Sequence, residues 1–156
     1  YNKNGSIAET VSFWLPGTGG PVATYTGTQL AIPSEFMDNR DINYDWGMFH
    51  INSNIGDTKG YLGWTTNISV DTTVQVIGYP SDQMMMAGKQ VKSVTSTLIK
   101  YDVDTLPGNS GSPVLNRSLD DQIVAIHTGG SDSEQLNRGT RVTSRMASVL
   151  STYRNE

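Results

Sequence analysis

A serine at the tip of a glycine-bounded turn is the first group in this chain whose chemistry the sequence suggests. The stretch DTLPGNSGSPVLN, residues 104–116, reads as a strand, a tight turn and a second strand, with Ser110 between Gly108 and Gly111. The glycines let the backbone bend sharply, so the hydroxyl projects and neighbouring N–H groups point at one spot. The turn is therefore a candidate nucleophile for attack on a carbonyl carbon.

Asp45 is a candidate partner for such a nucleophile. The stretch NYDWGMFHI, residues 43–51, places its carboxylate at the mouth of an otherwise apolar strand. A buried carboxylate is costly unless a donor satisfies it. Two interpretations stay open: an aspartate at the start of a strand that faces water, or a carboxylate that orients an imidazole.

His127 lies in the apolar stretch IVAIHTGG, residues 123–130, which is 17 positions after Ser110. A histidine in such a strand is more often a satisfied core residue than a functional one. The two glycines that follow would leave backbone N–H and C=O groups open to an approaching peptide. This context favours a substrate-binding strand.

Together these motifs resemble the glutamyl endopeptidases of the V8 type, bacterial serine proteases with the chymotrypsin fold, and most closely the Bacillus branch. The resemblance runs through YDWGMFHIN, GYP, DTLPGNSGSPV, AIHTGG and LNRGTRVT, in that order, and covers nearly the whole chain. It implies an all-β, chymotrypsin-like double six-stranded β-barrel with a C-terminal α-helix. The N-terminal barrel would be incomplete in this chain.

The resemblance implies catalytic roles for three residues. Ser110 aligns with the nucleophile and Asp45 with the triad carboxylate. The N–H groups of Gly108 and Ser110 align with the oxyanion hole, which stabilises negative charge in the transition state. No metal or organic cofactor is expected for this chemistry, and a structural calcium ion stays open.

The resemblance also implies a substrate-binding set. Thr105 and His127 align with positions that line an acidic specificity pocket, and Thr128 and Gly129 continue the substrate-binding strand. A hydroxyl and an imidazole that gains positive charge can bind a substrate carboxylate. The implied function is a secreted, extracellular endopeptidase that cleaves peptide or protein substrates after glutamate, and less well after aspartate.

Neither histidine of the chain is expected to be the general base. The resemblance assigns His127 to the pocket. His50 follows Asp45 by five residues, and on one strand their side chains would lie about 16 Å apart on opposite faces. The family's histidine lies in a TAAHC-like stretch that this chain lacks. We therefore expect the base on an N-terminal fragment of the same precursor, associated non-covalently because the chain has no cysteine.

Two alternative functions stay open. One is a catalytically silent, protease-like peptide-binding domain that has lost its histidine and kept its pocket. The other is a non-glutamyl, trypsin-like bacterial serine protease of the kind that also carries PGNSG. The histidine in AIHTGG counts against the second alternative, because such proteases prefer small apolar side chains.

The elements that must position these residues are mostly short strands. Runs rich in β-branched and aromatic residues recur between glycine, proline, asparagine and aspartate, which is typical of a β-barrel or sandwich. The clearest runs predict strands over residues 10–15, 46–51, 74–79, 95–103, 112–115 and 123–128.

The end of the chain is predicted to be helical. Thr143 is a suitable N-cap, and one apolar stripe with helical spacing follows it. That stripe consists of Met146, Val149, Leu150 and Tyr153. We expect residues 1–55 to hold the remaining N-terminal strands, residues 56–142 the C-terminal barrel and residues 143–156 the helix.

Composition excludes several other functions. The formal net charge is −4, so no basic field attracts nucleic acid, and no stretch approaches the length of a membrane span. The absence of cysteine excludes disulfides, thiol catalysis and a cysteine zinc site. With two histidines in 156 residues, a histidine-rich metal centre is excluded as well.

Overall fold

The computed structural model describes residues 12–15, 23–131 and 134–154. The N-terminal strands form an antiparallel three-stranded sheet in the order β1-β2-β3. These strands are β1 (Ser12–Leu15), β2 (Ala23–Ala31) and β3 (Met48–Ile51). Two short helices flank β3 in sequence, α1 (Ser34–Asn39) and α2 (Ile55–Lys59).

The next six strands close into a barrel in the order β4-β5-β6-β9-β8-β7. Each neighbouring pair is antiparallel. The closed barrel confirms the predicted chymotrypsin-like fold class. Its strands are β4 (Thr73–Gly78), β5 (Met85–Val94), β6 (Leu98–Tyr101), β7 (Pro113–Asn116), β8 (Gln122–Ser131) and β9 (Leu136–Arg141).

Alternation along the strands builds the barrel core. In β4, Val74 and Val76 are buried, whereas the intervening Gln75 is only partly buried. Successive side chains of a strand point to opposite faces, so one face fills the barrel. The buried members of this core are Ile68, Val74, Val76, Val91, Ile99, Tyr101, Val103, Val114, Val124 and Ala125.

A second apolar cluster joins the N-terminal segment, the barrel and the C-terminal helix α3 (Ser144–Arg154). Its buried members are Trp46, Met48, Val142 and Met146. The Thr143 hydroxyl accepts a hydrogen bond from the N–H of Met146 at 3.2 Å, so the predicted N-cap is confirmed. The predicted stripe is confirmed too, because Val149, Leu150 and Tyr153 pack against this cluster.

The sequence pattern missed three strands, β2, β5 and β9, and both short helices. Most side chains of β5 are exposed or partly buried, so apolar alternation is weak there. The predicted strand over residues 10–15 is observed as β1, and its first two residues lie outside the described residues. Within the described part of the chain, no helix is long and apolar enough to cross a membrane.

Asp45 does not lie on β3, contrary to the strand assumed from the sequence. It follows a single 3-10 turn at Ile42–Tyr44, and β3 begins only at Met48. The cause is local: the Asp41 carboxylate accepts a hydrogen bond from the N–H of Asn43 at 3.0 Å and starts the turn. The separation expected for one continuous strand therefore does not apply.

His50 does lie on β3, where it pairs with Gln29 of β2. Its ring centroid is 6.2 Å from that of Tyr153 on α3. Asp45 lines a cleft cavity from which His50 is absent. That His50 is not the base stays a prediction from the sequence.

We predict that Met146→Ala destabilises the domain by about 2–5 kcal/mol, because it removes a buried side chain that joins three parts of the fold. Urea unfolding followed by the fluorescence of Trp46 and Trp64, which lie in the same cluster, measures the change. Thr152→Ala, an exposed position on the same helix, is the matched control. Equal midpoints for the two variants would contradict the role given to this cluster.

Candidate active site

The turn that carries Ser110 is held by backbone hydrogen bonds on both sides. The N–H of Asn109 donates to the carbonyl of Leu106 at 3.0 Å, and the N–H of Gly111 donates to the carbonyl of His127 on β8 at 2.8 Å. Gly108 and Gly111 have φ of 102° and 87°, a region that favours glycine. Ser110 is exposed at the tip, as the sequence predicts.

Two N–H groups in this turn are available to an incoming oxygen. Within the described part of the chain, the N–H groups of Gly108 and Ser110 make no hydrogen bond, whereas that of Asn109 is used inside the turn. An oxyanion hole requires two unpaired backbone donors of this kind close to the serine hydroxyl. They belong to the two residues that the sequence selected for this role.

The underside of the turn packs against Gly78, the last residue of β4. A Cβ atom on Gly78 would overlap the Ser112 Oγ and the Asn109 Oδ1. The Asn109 side chain is buried, and its Oδ1 has no hydrogen-bond partner among the described residues. A side chain at residue 78 would force the Ser112 and Asn109 side chains to move.

Asp45 is held from behind by the barrel. Its backbone carbonyl accepts a hydrogen bond from the Thr140 Oγ1 on β9 at 3.0 Å. Burial raises the pKa of the Asp45 carboxyl, and the positive charge of Arg138 partly offsets that rise. The carboxylate is thus half-buried and within the field of a cation, and a strand of the barrel holds the backbone of the same residue.

Asp45 and Ser110 line the same cavity, of about 330 Å³, between the N-terminal segment and the barrel. His127 and Thr128 also line it. The rest of the wall consists of Ile32, Phe36, Trp46, Gly47, Gly111 and Ile126. Four of the residues selected from the sequence therefore meet in one largely apolar cleft.

His127 is buried, with 3% of its surface exposed, and its side chain makes one hydrogen bond to the residues that the structure describes. The partner is the hydroxyl of Tyr101 on β6, at 2.7 Å from Nδ1. Burial raises the pKa of Tyr101, so the phenol keeps its proton. The described residues give this hydroxyl no other hydrogen bond, which favours donation to Nδ1 and an imidazole proton on Nε2.

The pKa of His127 is lowered, first by burial and then by the positive charge of Arg138. The imidazole is therefore neutral at neutral pH in the free protein. It contributes an N–H donor rather than a full charge to its surroundings.

Thr105 and His127 do not line the same cavity. It lines a separate cavity of about 190 Å³ with Met85, Met86 and Asp104. Gly129 pairs with Arg138 of β9, and the Thr128 Oγ1 is buried without a hydrogen-bond partner in the described part of the chain. The cavities thus group Thr128, but not Thr105, with the candidate pocket histidine.

Sequence reasoning did not select Tyr101 or Arg138. Tyr101 sits in an apolar strand and resembles any core tyrosine, and its partner is 26 residues away. Arg138 was noticed only as part of the motif LNRGTRVT. The only signal in the sequence was an arginine next to a glycine in a predicted motif. Such a pair does not show which strand the arginine will lie beside.

The closed barrel, the glycine-bounded serine and the carboxylate in one cleft define a chymotrypsin-type serine protease domain. The family described as Trypsin matches residues 19–151, and the chain belongs to this family. The chain is 36% identical to a glutamyl endopeptidase of Bacillus licheniformis over 98% of its length, which confirms the resemblance drawn from the motifs.

A second relative, an extracellular metalloprotease of Bacillus subtilis, is 33% identical over 100% of this chain. The chain spans 53% of each of these two relatives, about half their length. Among the described residues, no group of three or more histidine, aspartate or glutamate side chains is placed to hold a metal ion.

Solved structures agree on the fold. One described as a Glu endopeptidase in complex with MPD has a TM-score of 0.82 and 26% identity, and the match covers 100% of this chain and 77% of the other. The protease Anisep from Arthrobacter nicotinovorans has a TM-score of 0.78 at 17% identity, over 98% of this chain and 79% of the other. The second likeness shows the fold alone.

We predict that Gly78→Ala lowers the free energy of unfolding by about 1–3 kcal/mol, because the new Cβ overlaps the nucleophile turn. Thermal or urea unfolding measures the loss. Gly63→Ala is the matched control, since its nearest neighbour would be the Gln122 side chain at 3.7 Å, an ordinary contact. An unchanged midpoint for Gly78→Ala would show that the turn does not depend on this packing.

We predict that stability falls as the pH is lowered through 6.5, the ordinary pKa of histidine. Below that pH the unfolded chain protonates residue 127 while the folded chain, with its lowered pKa, does not, so protons favour unfolding. His127→Gln, whose oxygen can accept the Tyr101 hydrogen bond, should lose this part of the pH dependence.

Urea unfolding at pH 7.5 and pH 5.5 tests this for the wild type and the variant. Thr152→Ala, an exposed position on α3 without an ionisable group, is the control and should keep the full difference between the two pH values. A wild-type difference that survives in His127→Gln would contradict the assignment.

Proposed function

We propose that this domain is the serine-bearing part of an endopeptidase that cleaves peptide and protein substrates after glutamate, and less well after aspartate. Ser110 is the nucleophile, and Asp45 orients a histidine supplied by an N-terminal segment of the same precursor. The observation that carries the proposal is the shared cavity of Asp45, Ser110 and His127. The glutamyl endopeptidase among the relatives supports the choice of substrate.

In the proposed reaction, the Ser110 Oγ attacks the scissile carbonyl and passes its proton to that histidine. Asp45 keeps the imidazole in the correct tautomer and stabilises the imidazolium that forms. The free N–H groups of Gly108 and Ser110 stabilise the oxyanion, each typically contributing about 3 kcal/mol. The histidine then protonates the leaving amine, and water hydrolyses the acyl-enzyme.

Substrate glutamate is proposed to bind at His127. The Tyr101 hydroxyl occupies Nδ1, so the proton on Nε2 is free to donate to a carboxylate. A carboxylate at Nε2 also favours protonation of the ring, which strengthens the contact. Thr105 lines a separate cavity, so its assignment to this pocket rests on the family resemblance alone.

The substrate backbone is proposed to pair with the end of β8. Strand β7 pairs with β8 only as far as Ile126 of β8, whereas the pairing of β9 with β8 continues to Ser131 of β8. Over Thr128 and Gly129, β8 therefore has a strand on one side only among the described residues. An extended peptide can add to such an edge through main-chain hydrogen bonds.

We also propose that the whole protein is secreted and that an N-terminal fragment with the catalytic histidine stays associated without a disulfide. The relative named an extracellular metalloprotease supports secretion. In the proposed division, residues 1–55 belong with the N-terminal barrel, residues 56–142 form the C-terminal barrel and residues 143–156 the closing helix.

The test compares two fluorogenic peptides that differ only by glutamate or glutamine before the scissile bond, with the purified full-length precursor after processing. We expect rapid cleavage of the glutamate peptide only. Ser110→Ala should lower kcat by about 10⁶-fold, the usual loss when a triad nucleophile is removed. Ser118→Ala, an exposed serine in the turn after β7, should leave the rate unchanged.

Three results would contradict the proposal. Peptide binding without cleavage would indicate a silent binding domain, and equal cleavage of both peptides would indicate a protease of other specificity. Loss of activity with a chelator but not with a serine-reactive phosphonate would favour metal-dependent chemistry. A denaturing mass spectrum of the active sample shows whether a second polypeptide is present.

A further inference from the structure

The two faces of β9 carry different chemistry. On β9 and its neighbour β6, Tyr101 pairs with Asn137, and Lys100 pairs with Arg138. Because paired residues share a face, Arg138 lies on the opposite face from the buried Tyr101 and the imidazole it contacts. Arg138 therefore does not enter the pocket proposed for glutamate.

Arg138 shares its face with Thr140, which follows it by two residues on β9. Thr140 donates to the Asp45 carbonyl, so this face of β9 is turned toward the N-terminal segment. The position agrees with electrostatics, since the positive charge of Arg138 acts on both Asp45 and His127. Arg138 thus lies near the cavity shared by Asp45, Ser110 and His127, without lining it.

The guanidinium lies against the open end of β8. Gly129 is the pairing partner of Arg138, and a Cβ atom there would be 3.8 Å from its Nη2. Its Nη1 donates to the carbonyl of Gly130 at 3.3 Å. The group is therefore positioned next to the strand edge to which we assign the substrate backbone.

Among the described residues, one hydrogen bond of the Arg138 guanidinium is observed. Its Nε is buried and has no acceptor in the described part of the chain. Among the described residues, no carboxylate forms an ion pair with it. A guanidinium with free, partly buried donors is suited to bind a carboxylate in a charge-assisted manner.

We propose that Arg138 is a second specificity-determining residue, which binds an acidic side chain of the substrate upstream of the cleaved glutamate. This inference rests on the proposed function. If the glutamate side chain turns toward His127, alternation along the extended substrate places the second and fourth residues before the scissile bond on the Arg138 face. The preferred substrates would then carry aspartate or glutamate at one of these positions.

The competing role for Arg138 is to stabilise the Asp45 carboxylate and nothing more. That role affects every substrate equally, because the aspartate takes part in each turnover. A subsite affects only substrates that carry the matching charge. The ratio of kcat/KM between matched peptides separates the two roles.

The experiment uses the processed full-length protein and peptides with glutamate before the scissile bond. Glutamate is compared with glutamine at the second, third and fourth residues before that bond, one position at a time. We expect about a fivefold preference for glutamate at the second or fourth residue, the upper range for a partly exposed ion pair. The preference should shrink as salt is raised from low to high ionic strength.

Arg138→Gln should remove this preference and leave the glutamate preference at the scissile bond in place. Arg138→Lys should restore part of it, and Arg117→Gln, which removes an exposed charge in the turn after β7, should not change it. No preference at the second and fourth residues, or an unchanged ratio in Arg138→Gln, would overturn the inference. Absence of any preference for glutamate at the scissile bond would instead count against the proposed function.

Discussion

Two backbone hydrogen bonds between the nucleophile turn and β8 are the constraint on which the rest of the site depends. The N–H of Gly111 donates to the carbonyl of His127, and the N–H of His127 donates to the carbonyl of Ser112, at 2.8 and 2.9 Å. One residue therefore anchors the turn through its backbone and places its imidazole in the wall of the cavity that Ser110 lines. The positions of the Ser110 hydroxyl and of this imidazole are coupled, and the lack of a side chain at Gly78 leaves room for the turn.

The cleft brings together groups from two sheets. The N-terminal segment contributes Asp45. On β9, Thr140 donates a hydrogen bond to the Asp45 backbone carbonyl, and the positive charge of Arg138 acts to lower the pKa of the Asp45 carboxyl. Apolar packing of Trp46 and Met48 against the base of α3 holds these surfaces in contact. Water screens half-buried charges less than charges at an open surface, so the positive charge of Arg138 influences the pKa of both the Asp45 carboxyl and the His127 imidazole.

Strands with a clear apolar face could be predicted from the sequence. The runs around β4, β7 and β8 alternate or remain apolar because one face is buried in the barrel. Strand β5 escaped prediction because most of its side chains are exposed or partly buried, so backbone pairing with β4 and β6 stabilises it more than its own pattern does. Asp45 was misplaced for a related reason: a local Asp41 turn interrupts what looked like one continuous strand.

The sequence by itself determined the local geometry of this protein. Glycines around Ser110 specify the turn, and Thr143 with the stripe after it specifies the start and buried face of α3, since both depend on neighbours within a few residues. Only the tertiary structure decided which distant groups meet: Tyr101 with His127, Arg138 with Gly129, and Asp45 with Ser110 in one cavity. The physical reason is that alternation encodes which face of a strand is buried, whereas strand order and register, which choose the partner, arise from packing across the whole chain.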